Sequence, residues 1–265
     1  MRLGSTITTA LRALTRNKMR SLLTTLGVVI GVAAVIIMQS LGAGATALVQ
    51  GEISSLGSNM MVLMPGGSAR APFGAAMVSA PPFTRSDMDA IVRECHAIRY
   101  VSPQDVKTVV AVYGENNRAT TLYGVWPDLF GIRDWGVERG RLWNDEEERR
   151  GAKVCVIGKT IESELFGQQD PVGAELRLHD LGCEVIGVMM AKGTSTFGMD
   201  QDDVIFMPHT TVTRRITGSD RIGTVILAAE AETRLDEGRE QVEALMRERR
   251  HILPGEEDDF TVRDM

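Results

Sequence analysis

Hydrophobic positions change their pattern sharply along this chain. Residues 22–41 form an uncharged, predominantly apolar run, and no charged side chain occurs from Ser21 to Gly51. At 1.5 Å per residue a helix of that run measures about 30 Å, the thickness of a bilayer hydrocarbon core. Ahead of it, Leu3, Ile7, Ala10, Leu11 and Leu14 recur at helical spacing while Arg2, Arg12 and Arg16 fall elsewhere, which predicts an amphipathic helix on a membrane surface. After Met38 the sequence turns polar at Gln39, Ser40, Thr46 and Gln50 without a proline, so the helix is expected to continue as a stalk. A cleavable leader is the competing reading, since Ala43-Gly44-Ala45 and Ala45-Thr46-Ala47 resemble cleavage sites. Its apolar region is only about 7–15 residues, so the longer run here is read as a retained span.

Within the span, Gly27, Gly31 and Ala34 form a stripe of small residues, the arrangement that lets another helix approach closely in lipid. Arg12, Arg16, Lys18 and Arg20 flank the run on one side and place the N-terminus in the cytoplasm.

Beyond the span the periods become mixed. Pro65 to Pro82 is rich in Gly, Ala, Ser and Pro and reads as a loop. Thr84-x-x-Asp87 is a capping box opening a helix with Met88, Ile91, Val92 and Cys95 on one face. Strand-like runs flank it at 59–64 and 106–113, the second pairing with 118–125 across Gly114-Glu-Asn-Asn117. Strands at 203–207 and 223–229, a helix near 234–250 and a strand at 259–262 form a second strand–helix–strand set. That helix carries Leu235, Val242, Leu245 and Met246 on one side. The two sets suit a split α/β sandwich within an α+β fold. Between them lies a β-rich stretch: strand 153–157, a helix at 160–166 ended by Gly167, and a hairpin 175–179/184–190 turning at Asp180-Leu-Gly182. It is read as an inserted subdomain over 114–200.

Charge sharpens this division. Five of the 29 Lys and Arg precede the first acid, Glu52, whereas the remaining 24 face all 35 Asp and Glu. A basic front and an acidic body match a chain held by its N-terminus with an exported body. The acidic body argues against a nucleic-acid partner. Cys95, Cys155 and Cys183 form no C-x-x-C pair and read as small core residues; a disulfide needs an oxidising compartment, and spacing does not give its pairing.

Catalytic patterns fail on inspection. Gly158-Lys159-Thr160 sits where a phosphate loop would lie, but Lys153 occupies the place of its first Gly, and 153–157 is strand-forming. The expected reading is a strand turning into a Thr-capped helix. His96, His179, His209 and His251 are scattered, and Asp200-Gln-Asp202-Asp203 lacks a calcium loop's spacing, leaving a solvated turn or local hydrogen bonding to the adjacent loop. Asp145 to Glu148, followed by Arg149 and Arg150, reads as an exposed turn or short helix start. Ser195 in Gly193-Thr-Ser-Thr196 lacks a nucleophile-elbow spacing, and Trp126, Trp135 and Trp143 read as packing residues. No catalytic, cofactor-binding or metal-binding residue is expected on this chain.

The stretch ALRALTRNKMRSLLTTLGVVIGVAAVIIMQSLGAGA, with ISSLGSNMMVLMPG after it, resembles the start of MacB-type (MacB/FtsX-like) ABC transporter permeases. The likeness runs on through LYGVWPDLF, GVERGRLW, VCVIGKTIESELFG, DPVGAELRL, CEVIGVM and DDVIFMPHTT, almost the whole chain in order. The resemblance implies a four-span permease with a porter-like α/β domain and an inserted lobe between its first two spans. It implies a second permease copy and an ABC ATPase subunit carrying ATP and magnesium. A periplasmic adaptor and an outer-membrane channel are further partners where an outer membrane exists. Motion driven by the ATPase would pass through span and stalk to the outer domain, the mode called mechanotransmission. The expected organisation is a cytoplasmic helix at 1–20, a span at 21–41, a stalk at 42–56, a porter-like part at 57–113 and 201–265, and the insert at 114–200. Spans two to four lie outside this sequence, so the chain is expected to be the N-terminal part of such a permease in the cytoplasmic membrane. The alternative is a single-pass, membrane-anchored periplasmic binding or adaptor module.

Overall fold

A computed structural model describes residues 18–19, 22–23, 26–40, 59–66, 80–195 and 198–265. The chain divides into two units, Met1–Gly51 and Glu52–Met265. In the first, residues 26–40 form one helix, α1, with every side chain exposed. Its rise amounts to about 22 Å. No helix among the described residues is long and apolar enough to cross a membrane. Most of the expected surface helix, both ends of the expected span and the stalk lie outside the described residues.

The second unit runs, in chain order, β1 (Met60–Pro65), α2 (Arg85–Glu94), β2 (Ile98–Tyr113), β3 (Asn116–Val125), α3 (Asp128–Ile132) and β4 (Val137–Gly140). There follow α4 (Asp145–Arg150), β5 (Val154–Ile157), α5 (Lys159–Ile161), β6 (Glu175–Leu178), β7 (Leu181–Met189) and β8 (Val204–Pro208). The order closes with α6 (His209–Val212), β9 (Val225–Ala229), α7 (Leu235–Arg249) and β10 (Phe260–Asp264). Helices α5 and α6 each widen into a π turn, at Glu162–Phe166 and Thr213–Thr217.

The strands join in the order β10-β1-β9-β2-β3-β8-β5-β7-β4, with β6 bridging β2 and β7. Strand β2 serves two lobes. Ile98 to Pro103 pair antiparallel with β9, and Gln104 to Tyr113 pair with β3. The first lobe is therefore β10-β1-β9 and the front of β2, with α2 and α7 contributing Met88, Ile91, Val242 and Met246 to its core. The second lobe holds the back of β2 and the remaining strands. Its boundaries differ from the 113/114 and 200/201 expected from sequence, because β2 enters it from Gln104 and β8 sits between β3 and β5. Apolar alternation marks a strand without naming its neighbour.

Local signals behave as local physics requires. Thr84 caps α2 through its side chain, and Asp87 returns the bond to the Thr84 N–H. Met88 and Ile91 are buried, but Val92 is 57% exposed, off the core-facing edge of the helix. The β2–β3 loop contains only Gly114 and Glu115, with Tyr113 opposite Asn116 and Gly114 at positive φ, the position where a type II′ hairpin takes glycine. In the β6–β7 hairpin Leu178 faces Leu181, so the turn is His179-Asp180 rather than Asp180-Leu-Gly182.

A third core joins the lobes. Met60, Ile226 and Ala228 from the first meet Leu129, Phe130, Trp135, Trp143 and Phe206. Phe206 lies edge-on to Phe130 and Trp135, with centroids 5.1 and 5.5 Å away.

Candidate functional site

The first lobe brings its two chain ends to one pole. β1 lies between β9 and β10, and the Met265 N–H donates to the Met60 carbonyl at 3.1 Å. Asn59 and Met265 are thus neighbours at that pole. The expected stalk at 42–56 lies outside the described residues.

Where β2 passes from lobe to lobe, a polar junction surrounds it. Buried Ser102 accepts from the Trp126 N–H at 3.1 Å and donates to the Pro103 carbonyl at 3.0 Å. Asp128, at the start of α3, accepts from the Val101 N–H at 3.3 Å. Burial raises the Asp128 carboxyl above its ordinary value, partly offset by that bond. From the first lobe, Arg85 lies 5.2 Å over the Trp126 ring and donates to Thr210 Oγ1 at 3.1 Å. Two clefts flank this contact. One, about 260 Å³, is lined by Thr84, Trp126, His209, Arg214 and Ile222; the other, about 340 Å³, by Asp89, Val92, Asp128, Asp145 and Arg149. His209 Nε2 and Asp105 Oδ2 face one another at 3.3 Å.

Beneath the clefts Glu148 is 3% exposed. Its carboxylate accepts from the His209 N–H at 3.1 Å, the Thr210 N–H at 2.9 Å, Thr210 Oγ1 at 3.0 Å and Trp143 Nε1 at 3.1 Å. The run at 145–148 is therefore the helix start of the two expected readings, with Glu147 and Glu148 buried. It is a capped helix whose Asn144–Glu147 box and left-handed Gly151 fix both ends, leaving Glu148 to anchor the start of α6. Burial raises the Glu148 pKa, with the Thr210 bonds opposing. Neighbouring Glu147 shifts the other way, to about 2, mainly through its bonds from Arg141.

The Gly158-Lys159-Thr160 motif resolves into packing. Gly158 caps α5 without a side-chain bond, so Thr160 is not the cap; its Oγ1 donates to Asp200 at 2.7 Å. A Cβ at Gly158 would lie 2.1 Å from the Asp202 carbonyl oxygen. Asp202, 5% exposed, accepts from the N–H groups of Lys192 and Gly193, each at 2.9 Å, and Asp203 makes a two-point bond with Arg118. The acidic tetrad thus ties its own loop down. Among the described residues no cluster of three or more His, Cys, Asp or Glu could hold a metal. Trp135 and Trp143 are core residues, and Trp126 is the half-buried platform for Arg85.

On α1, a Cβ added at Gly27 or Gly31 would meet nothing within 4 Å, and Ala34 is exposed. The small-residue stripe is open. Lys18 is helical and exposed, while Arg12, Arg16 and Arg20 lie outside the described residues.

The profile of the MacB-like periplasmic core domain matches residues 21–245. The macrolide export ATP-binding/permease protein MacB of Syntrophobacter fumaroxidans is 33% identical across 97% of this chain and 44% of its own length. That of Azoarcus sp. is 35% identical across 97% of the chain and 38% of its own length, so the chain spans about two-fifths of these relatives. Among solved structures, the periplasmic region of MacB from Actinobacillus actinomycetemcomitans shares the fold at TM-score 0.64 and 21% identity, covering 80% of this chain and 91% of that one. The extracellular domain of the noncanonic ABC-type transporter YknZ from Gram-positive bacteria aligns at TM-score 0.61 and 19% identity, covering 77% and 100%. With its match running from Ser21 to Leu245, inside the first-lobe helix α7, this chain belongs to the MacB-like periplasmic core domain family.

Proposed function

We propose that this chain is the first span and extracytoplasmic domain of an ABC permease that relays motion from a partner ATPase to the outer face of the membrane. In this reading residues 21–41 cross the cytoplasmic membrane once, 42–56 continue as a stalk, and Arg12, Arg16, Lys18 and Arg20 hold the N-terminus inside. Gly27, Gly31 and Ala34 pack against another helix of the assembled permease, whose second copy completes the outer platform. ATP and magnesium belong to the ATPase subunit. A periplasmic adaptor and an outer-membrane channel complete the path where an outer membrane is present.

The observation that supports this reading most is the adjacency of Met60 and Met265. A domain held at both ends from one pole moves as a body when its supports move. A rigid β-structured body with a buried aromatic core then transmits displacement instead of absorbing it.

The experiment pairs assembly with folding in the full-length permease. Gly27→Leu with Gly31→Leu is expected to weaken co-purification with a tagged second copy while the domain keeps its circular dichroism and melting profile. Unchanged association would contradict the stripe's role, and a solitary chain that never recruits an ATPase or a second copy would favour an anchored adaptor.

A further inference from the structure

Cys155 lies on β5 and Cys183 on β7, neighbouring parallel strands in which Cys155 faces Val185. Cys183 is two residues before Val185 and so shares its face of the sheet. Both sulfurs enter the core of the second lobe with Ile161, Leu176 and Leu178, at 0% and 1% exposure. Their Sγ atoms stand 2.7 Å apart. Cys95 belongs to the separate core of the first lobe. The sequence left pairing open among three cysteines; the fold selects one pair.

We propose that Cys155 and Cys183 are joined by a disulfide in the exported domain. The proposal rests on the extracytoplasmic location argued above, because a thiol pair persists in a reducing cytosol. Two S–H bonds break and one S–S bond forms. The S–S bond of an incoming disulfide, either of an exported dithiol–disulfide oxidoreductase or of oxidised glutathione, breaks as it takes the two electrons, and the two protons end on the two thiols it leaves. Burial of both sulfurs times the exchange to folding, before β6 and the α5 turn cover the strands. Afterwards burial protects the bond, and in a chain that escaped oxidation it holds the Cys155 thiol well above its usual range, slowing late exchange. Burial, with Glu94 beside it, likewise pushes Cys95 up to about 11 and leaves it a quiet thiol.

The test counts thiols in the full chain, alkylated at cell lysis, extracted from membranes and unfolded in guanidinium. One reactive thiol before reduction and three after are expected, with the tryptic peptide VCVIGK (154–159) bridged to LHDLGCEVIGVMMAK (178–192) and ECHAIR (94–99) alkylated. A Cys95→Ala chain then shows none before reduction and two after. Three thiols before reduction, in a chain whose domain is cut by protease added outside spheroplasts, would overturn the disulfide. Protection from that protease would instead overturn the location. The same chain refolded in a glutathione redox buffer then decides the pairing by itself: one thiol supports it, three refute it.

Discussion

A methyl group added at Gly158 would sit 2.1 Å from the Asp202 carbonyl oxygen, a backbone atom that cannot swing aside. Gly158→Ala is therefore expected to destabilise the domain by about 2–4 kcal/mol in urea unfolding. Lys159→Ala removes ion pairs to Glu138 and Glu162 at 2.7 and 2.9 Å and should cost only about 0–1 kcal/mol. Equal costs would return the lysine to a role the packing does not give it. Glu148→Ala strands four buried donors, and its expected cost is about 3–5 kcal/mol by the same measurement. Two adjacent glutamates also respond oppositely to acid. Arg141 bonds hold Glu147 at about 2 against an ordinary 4.5, so the folded state binds fewer protons. Its contribution is complete above about 4.5 and fades as the pH falls towards about 2. Glu148, raised by burial, loses an ionisation cost on acidification. The stability gap between wild type and Glu147→Gln should stay constant above pH 5 and narrow below it; a constant gap down to pH 2 would contradict the assignment. Nothing in the acidic run itself distinguishes Glu148, because its α6 donors lie 61 and 62 positions away.

Elements whose causes are local were readable in advance. Thr84 and Asp87 are three residues apart and need no distant partner, so the α2 cap was visible; Thr84→Ala should lower thermal stability by about 1 kcal/mol, and no change would mean that water replaces the cap. The hairpin over Gly114 was legible for the same reason. The β6–β7 turn moved by a residue because His179 takes the left-handed conformation, φ 53°, where glycine was the natural candidate. Lobe boundaries were not legible. Strand β2 is continuous while its partner changes at Pro103–Gln104, and hydrogen bonding between strands distant in sequence makes that change. On α1 an added Cβ at Gly27 or Gly31 meets nothing within 4 Å.

At the scale of the molecule, a basic N-terminal segment and an acidic domain match the proposed division of the chain by a membrane. Asn59 and Met265 share one pole of the domain, and a shared aromatic core couples its lobes. These features suit a body displaced as a whole by its supports. The direct measurement is the distance between spin labels on the two copies of the full-length permease, assembled with its ATPase in lipid nanodiscs. Labels at a cysteine replacing Glu115, on the exposed β2–β3 tip, avoid the buried native cysteines. The relay predicts that the distance distribution shifts by several ångströms when ATP and magnesium are added. An unchanged distribution in a preparation that hydrolyses ATP would contradict it.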